Sequence, residues 1–362
     1  MKEVNMANIP VKIETWQMVE PGKLSRTSIP VPELKANEAL VEIAGCGVCH
    51  TDISYFYMGV PTVNKPPLTL GHEISGKVIA GDSKFLGKEV IVPAVMPCNN
   101  CPICAAGRGN RCLAQKMPGN SLGIYGGFSS HIVVPSQDLC VVPERGDFKL
   151  SDLAVVADAV TSPYQGAMRA EIKPGDNVII VGITGGLGVY AAQICRAMGA
   201  KEVVGTGRNP AKLERAMQYG ATKVINTTGK DIKAIRDEFR AYCKEKGLPS
   251  NYGWKIFEWT GTLEGQTIAL ELLSFIGVLV IAGFGMQKNE YSMSRLMAYD
   301  ADVKGTWGCL PKYYPPVLQM VLEKKIAIKP FMEARPMSQI QQALEDAHKS
   351  GLDKRIVLIP DF

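Results

Sequence analysis

From Asp176 onward the chain settles into one repeated pattern, and that pattern limits its fold more than any other feature. "NVIIVGI" reads as a strand, and "TGGLGVYAAQICRAMGA" as a glycine turn entering an amphipathic helix. "KEVVGTGR" and "NPAKLERAMQYGA" repeat strand and helix, "KVINTT" is a third strand, and "KIFEWTG" and "GVLVIAGFG" are later ones. Strands that alternate with helices imply crossover connections and parallel pairing, so this part is predicted to be α/β with a doubly wound parallel sheet. The longest apolar run, "SFIGVLVIAGFG" at 274–285, is broken by glycines and shorter than the ~20 residues of a membrane span, so it reads as a buried strand.

Residues 1–150 read differently. "ALVEIAG", "ISGKVIAG", "KEVIVPAVM", "FSSHIVVP" and "LCVVP" are short β-type runs separated by Gly and Pro. After about 308 the text is mixed, with a helix in "MSQIQQALEDAHKSG" and a last strand in "KRIVLIP". A length of 362 residues suits about two domains. The expected division is 1–160 with 308–362, and 161–307. The formal charge of +5 is mild, and no Lys/Arg cluster alternates with aromatics, so neither nucleic acid nor membrane is an expected partner. "MKEVNMANIP" lacks the apolar core of a signal peptide, and a cytoplasmic location is expected.

Disulfides are disfavoured in that compartment, so clusters among the ten cysteines point to metal or catalysis. "CNNCPICAAGRGNRC" sets Cys98, Cys101, Cys104 and Cys112 at C-x2-C-x2-C-x7-C. One compact loop with four thiolates suits a closed, structural Zn²⁺ site. An iron–sulfur cluster or free thiols are the alternatives, although the fourth spacing differs from the bacterial ferredoxin run. A second puzzle is Asp158, alone in the apolar "VVADAVTSPYQGA". A carboxylate there is costly unless something pairs with it. "GCGVCHTD" (Cys46, Cys49, His50, Thr51, Asp52) and "LGHEISG" (His72, Glu73) offer sulfur and nitrogen. With Asp158 they supply S, N and O from three segments, the pattern of a catalytic zinc with an open position.

"GCGVCHTD", "GHE", the four-cysteine loop, "GGF" at 126–128 and the glycine turn at 185–188 occur in the order found in the zinc-containing medium-chain alcohol dehydrogenases, and the chain resembles that family over essentially its whole length. The resemblance implies a GroES-like β-rich catalytic domain beside a Rossmann-type cofactor domain. It implies Cys49 and His72 as zinc ligands, and Asp158 where many members carry a Cys. Glu73 becomes either an outer partner or an alternate ligand beside the metal, and a candidate in catalysis, and Asp52 orients His72. Thr51 matches the hydroxyl that meets the substrate alcohol and starts proton release. His50 matches a position that meets the cofactor pyrophosphate. The usual relay His is replaced by Ser54, which makes His50 a substitute candidate in catalysis. Cys46 reads as a packed thiol, and His131 and His348 as structural or surface residues. A homo-oligomer, dimer or tetramer, is expected from the family.

Gly182, Gly185, Gly186, Leu187 and Gly188 form the turn that would meet a dinucleotide pyrophosphate at a helix N-terminus, with Ile183 in place of a usual glycine. Phe284 joins these candidates. The second strand ends in Gly207 and Arg208 rather than an acid, which leans to NADP, whereas the resemblance implies NAD. "YFYMGVPTVNKPPLTLGHEISG", "VIVPAVMPC", "VVADAVTSPYQ" and "GTWGCLPKYYPP" resemble the branch of the family that oxidises cyclic enoyl-CoA alcohols in anaerobic degradation of aromatic compounds. A small-molecule substrate, a cyclic enoyl-CoA thioester, is what that likeness implies. Tyr55, Phe56 and Tyr57 are either an apolar wall for it or plain core. A hydratase acting on the same ring, a broader alcohol or polyol dehydrogenase and a non-catalytic relative are the rival readings.

Overall fold

The computed structural model describes residues 9–349 and 351–362. Its chain divides into two units. One runs to Thr161 and resumes at Gly308–Glu323 and Ile328–Phe362; the other is Ser162–Trp307 with Lys324–Ala327.

The second unit is built on six strands. In space they run Lys223–Asn226, Glu202–Gly207, Asn177–Val181, Trp254–Glu258, Val278–Ile281, Asp302–Gly305. Every neighbouring pair is parallel. In sequence order this is 3-2-1-4-5-6, the Rossmann arrangement, with its switch point beside Asn177–Val181. Val178, Ile179, Ile180 and Val181 are buried, as a strand covered on both faces requires. Helix Gly188–Ala197 packs on this strand and the next. Helix Ile232–Lys246 presents Ile235, Phe239, Tyr242 and Cys243 to the core, a helical spacing. Asp231 caps it by accepting from the Ala234 amide at 2.7 Å, and Gly247 ends it in the left-handed region.

The apolar run 274–285 needs correction. Only Val278–Ile281 is strand, while Phe275, Ile276 and Phe284 are 47%, 62% and 63% exposed. Burial stops where the run passes beyond its neighbouring strands.

In the first unit, strand Glu38–Gly47 pairs antiparallel with Glu73–Gly81, His131–Pro135 and the last strand, Arg355–Ile359. Val357 sits opposite Gly47 and Leu358 opposite Cys46. The C-terminal strand is therefore laid directly beside the "GCGVCHTD" segment. Strands Lys12–Glu20 and Lys23–Pro30, not anticipated from the sequence, form a smaller sheet with Leu68–Thr69. No helix among the described residues is long and apolar enough to cross a membrane.

Candidate active site

The first unit contains two groups of metal-ligating side chains. Sγ atoms of Cys98, Cys101, Cys104 and Cys112 all lie within 4.8 Å of one another. Individual separations are 3.3 Å for Cys98–Cys112, 3.5 Å for Cys101–Cys104 and 3.8 Å for Cys101–Cys112. Four sulfurs around one zinc at about 2.3 Å stand about 3.8 Å apart, so this cage fits a single ion. Cysteines carried by separate irons of a cluster would be held wider. Amides of Cys98 and Ala114 donate to Cys112 Sγ at 3.2 and 3.3 Å. Backbone donors from Leu113 and Cys104 draw the Cys101 thiol down to about 6.

The second group is Cys49, His72, Glu73 and Asp158, again within 4.8 Å. Asp158 Oδ2 is 3.7 Å from Cys49 Sγ and 3.6 Å from His72 Nε2. These spacings are long for hydrogen bonds. They match the ligand edges of a zinc tetrahedron, about 3.4–3.6 Å for the bond lengths of S, N and O donors. Glu73 Oε2, fully buried, accepts no hydrogen bond among the described residues, which leaves it available to the same cation. The donor set therefore fits zinc.

Each ligand has a local reason for its position. Cys49 is the N-cap of helix His50–Tyr57. Asp52, three residues on, accepts from the Cys49 amide with Oδ2 and from the Gly71 amide with Oδ1, both at 3.0 Å. One carboxylate thus ties the two ligand loops together. Its Oδ1 also lies 3.5 Å from His72 Nδ1, so the ring turns Nε2 toward Asp158. Burial works against a charged His72, but Asp52 and Asp158 beside it lift its pKa well above 6.5. Glu73 is pushed up to about 7 by burial, against the pull of Arg355 and with the push of Asp158. At Gly47 an added Cβ would sit 2.1 Å from Glu73 Oε2, so only glycine admits this carboxylate.

Arg355 is the residue that the sequence reading missed. Its guanidinium donates to Glu73 Oε1 at 2.7 Å and to the Val48 carbonyl at 3.2 Å. The only signal was a cation opening the last strand; its pairing beside Gly47 could not be read from the text.

Other expected residues divide. Thr51 Oγ1 lies 3.8 Å from Cys49 Sγ. Ser54 donates to the Thr51 carbonyl at 2.8 Å. Cys46 is buried outside the cluster, beneath Gly71 and Gly127. Part of His50 reaches solvent, while the protein packed around its ring shields it from water and, with Arg355 and His348, lowers its pKa. His131 Nδ1 bonds Ser130 Oγ at 2.9 Å, and His348 stacks on Tyr57 with centroids 4.5 Å apart. The aromatic run goes to packing: Phe56 is fully buried, and Tyr55 accepts from Asn120 at 3.0 Å.

In the second unit the turn from Asn177–Val181 leads through Gly182 to helix Gly188–Ala197, with Leu187 at its N-cap and Gly185 and Gly186 exposed. A Cβ on Gly188 would lie 2.1 Å from the Gly182 carbonyl, so the helix can start this close only with glycine. Ile183 is buried and fills the space over Gly205. Gly207 and the exposed Arg208 end the second strand, and Phe284 follows the fifth. With all strands parallel, these positions share the end of the sheet that carries the turn. Glu258, also unanticipated, is buried there and accepts from the amides of Thr260 and Gly261 at 2.6 and 3.1 Å.

A fold with a Rossmann sheet, a β-rich unit and these two thiolate-containing clusters defines a class, the zinc-dependent dehydrogenases. Comparison with known proteins agrees. The family "Alcohol dehydrogenase GroES-like domain" matches residues 35–144, and "Zinc-binding dehydrogenase" matches 186–323. Sorbitol dehydrogenase of Bombyx mori is 26% identical over 91% of this chain and 93% of the relative. L-idonate 5-dehydrogenase (NAD(P)(+)) of Escherichia coli is 27% identical over 89% and 92%. A zinc-binding dehydrogenase from Sinorhizobium meliloti, solved bound to NADP, superposes with TM-score 0.83 at 23% identity, covering 96% of this chain and 99% of that one. The chain belongs to the zinc-dependent medium-chain alcohol dehydrogenase family, oxidoreductases acting on CH–OH groups with zinc and NAD(P).

Elemental analysis is expected to find two zinc ions per chain, and Asp158→Ala to lose one while the four-cysteine zinc stays. A variant that keeps both would remove Asp158 from the ligand set. A second expectation concerns pH. Below about 7 the Glu73 carboxyl of the metal-free site holds its proton, so zinc must displace it, and affinity falls on acidification. Glu73→Gln should flatten the part of the pH dependence that sets in below about 7. Zinc titrations of both proteins at several pH values check it; identical slopes would show that Glu73 does not compete for the metal.

Proposed function

We propose that the protein oxidises a secondary alcohol by hydride transfer to NAD(P), and that its substrate is 6-hydroxycyclohex-1-ene-1-carbonyl-CoA, converted to the 6-oxo compound in anaerobic benzoyl-CoA degradation. The observation that carries the redox part is the Cys49–His72–Asp158 cluster with the Thr51 hydroxyl beside it. Zinc held there supplies Lewis acidity that lowers the pKa of an alcohol. Thr51 takes the hydroxyl proton and passes it outward. Ser54 is committed to the Thr51 carbonyl, and the exposed His50, adjacent in sequence, is the outlet assigned to the proton. Bound NAD(P) would supply the hydride acceptor, so that the alcohol would give ketone, NAD(P)H and one proton. His50 also remains the residue proposed to meet the cofactor pyrophosphate.

The thioester substrate rests on the sequence likeness of the segments around Tyr55, Val90, Val155 and Gly305. The names of the relatives, sorbitol and L-idonate dehydrogenases, support the broader polyol reading instead. A panel of polyols, simple secondary alcohols and cyclic enoyl-CoA thioesters, followed by NAD(P)H absorbance and mass spectrometry, separates them. Turnover of polyols alone would sink the thioester reading. Water addition to the ring without NAD(P)H would favour the hydratase. We also propose a homo-oligomer: strand Asp302–Gly305 ends the parallel sheet, and helix Met293–Tyr299, which precedes it in the chain, buries no residue.

Two kinetic outcomes follow. Thr51→Ala should lower kcat by about 10²–10⁴-fold, the usual worth of a positioned proton acceptor, with cofactor KM little changed. Arg208→Ala should lower kcat/KM for NADP about tenfold or more and spare NAD, since a charge-assisted hydrogen bond is worth about 1.5–3 kcal/mol. Arg208 is the cleaner probe, because an acid at Gly207 would press its Cβ within 2.9 Å of the Thr184 side chain. Equal loss for both cofactors would remove Arg208 from 2′-phosphate recognition.

A further inference from the structure

Asp158, the ligand that departs from the commoner Cys, hangs from a backbone held by a residue far away in sequence. It is the C-cap of the 3-10 turn Leu150–Ala157, with φ −142° and ψ −54°. Val155, Val156, Ala157, Ala159 and Val160 around it are fully buried. Methyl packing fixes the depth of such a segment but is non-directional, so it does not set the rotation of a peptide plane.

The directional contacts come from Tyr314. This residue opens helix Tyr314–Leu322, and Pro315 and Pro316 follow in the first turn, where a missing N–H costs nothing. Its side chain is fully buried. The phenolic oxygen accepts from the Ala94 amide at 2.9 Å and donates to the Ala157 carbonyl at 2.5 Å. Thr161 Oγ1 donates to the same carbonyl at 3.1 Å. That carbonyl lies in the peptide plane that carries the Asp158 nitrogen. Holding it sets the direction in which the Asp158 side chain leaves the main chain.

We propose that Tyr314 is a positioning residue for the zinc site: its hydroxyl locks the Ala157–Asp158 peptide so that the Asp158 carboxylate meets Cys49 and His72. The proposal rests on reading those three side chains as zinc ligands, and not on the identity of the substrate. A neutral phenol is both donor and acceptor, and here both capacities are used. Tyr314→Phe removes one oxygen and keeps the ring.

The test measures zinc per chain after dialysis against graded dipicolinate, together with the visible spectrum of protein refilled with Co²⁺. Tyr314→Phe should release one zinc at about 10–100-fold lower chelator than wild type, the usual cost of losing an outer partner of a ligand, and should keep the four-cysteine zinc. Its Co²⁺–thiolate band should shift. Val317→Ala, also buried on the same helix, removes packing without touching the carbonyl and should behave as wild type. Tyr314→Phe holding zinc as tightly as wild type, or Val317→Ala losing it as readily, would overturn the proposal. If Tyr314→Phe does not fold, Thr161→Val removes the second donor and should give a smaller loss in the same direction; no loss there overturns it equally. Wild type that holds one zinc at every chelator concentration would sink the metal-site reading itself, and the proposal with it.

Discussion

The structure of the first unit depends on one electrostatic demand. Asp52, Glu73 and Asp158 bring three carboxyl groups to one small region together with the Cys49 thiol, and Asp52 and Glu73 are fully out of water. Unpaired charges in such a place cost several kcal/mol each. Arg355 and His72 face them from the protein side. The raised Glu73 and His72 values are the same demand seen as proton affinity: without a divalent cation the cluster retains protons. The lone carboxylate in an apolar run, which is the oddest feature of the sequence, is resolved by this charge balance.

Meeting the demand fixes the order of the chain. Cys49 and Asp52 come from a helix start, His72 and Glu73 from a strand start, Asp158 from the end of a 3-10 turn and Arg355 from the last strand. A helix start gives its ligand a defined exit, because Asp52 already occupies the Cys49 amide. The last strand must return beside Glu38–Gly47 for Arg355 to reach Glu73. That return is why a C-terminal segment separated by the whole cofactor unit belongs to the first unit.

Much of this was legible in the text, and the rest failed for identifiable reasons. Four cysteines in 15 residues, and the alternation of strands and helices after Asp176, are local signals and survive without tertiary knowledge. That Cys49, His72 and Asp158 would come together was legible because few other residue types in such contexts suit a metal. Arg355 and Tyr314 were not, since their roles come from pairings across more than 150 residues. Glu258 looked like one more strand residue, yet it organises a loop through backbone amides. For the aromatic run 55–57 the text left an apolar wall and plain core both open, and the contacts of Tyr55, Phe56 and Tyr57 are those of core packing.

The Asp158 substitution also has a chemical consequence that geometry alone does not set. Carboxylate and thiolate carry the same formal charge, so exchanging Cys for Asp leaves the charge balance of the cluster unchanged. Oxygen is the harder donor and gives less electron density to the metal. A cation held by Cys49, His72 and Asp158 is therefore a stronger electrophile than one held by two thiolates and an imidazole. The cost is orientation. A carboxylate reaches one bond further than a thiol and can rotate, so its backbone must be held more firmly. The buried Tyr314 phenol, the Thr161 hydroxyl and the apolar neighbours Val155, Val156, Ala157, Ala159 and Val160 supply that firmness. Reactivity gained from a harder ligand and rigidity supplied by its surroundings are two parts of one arrangement.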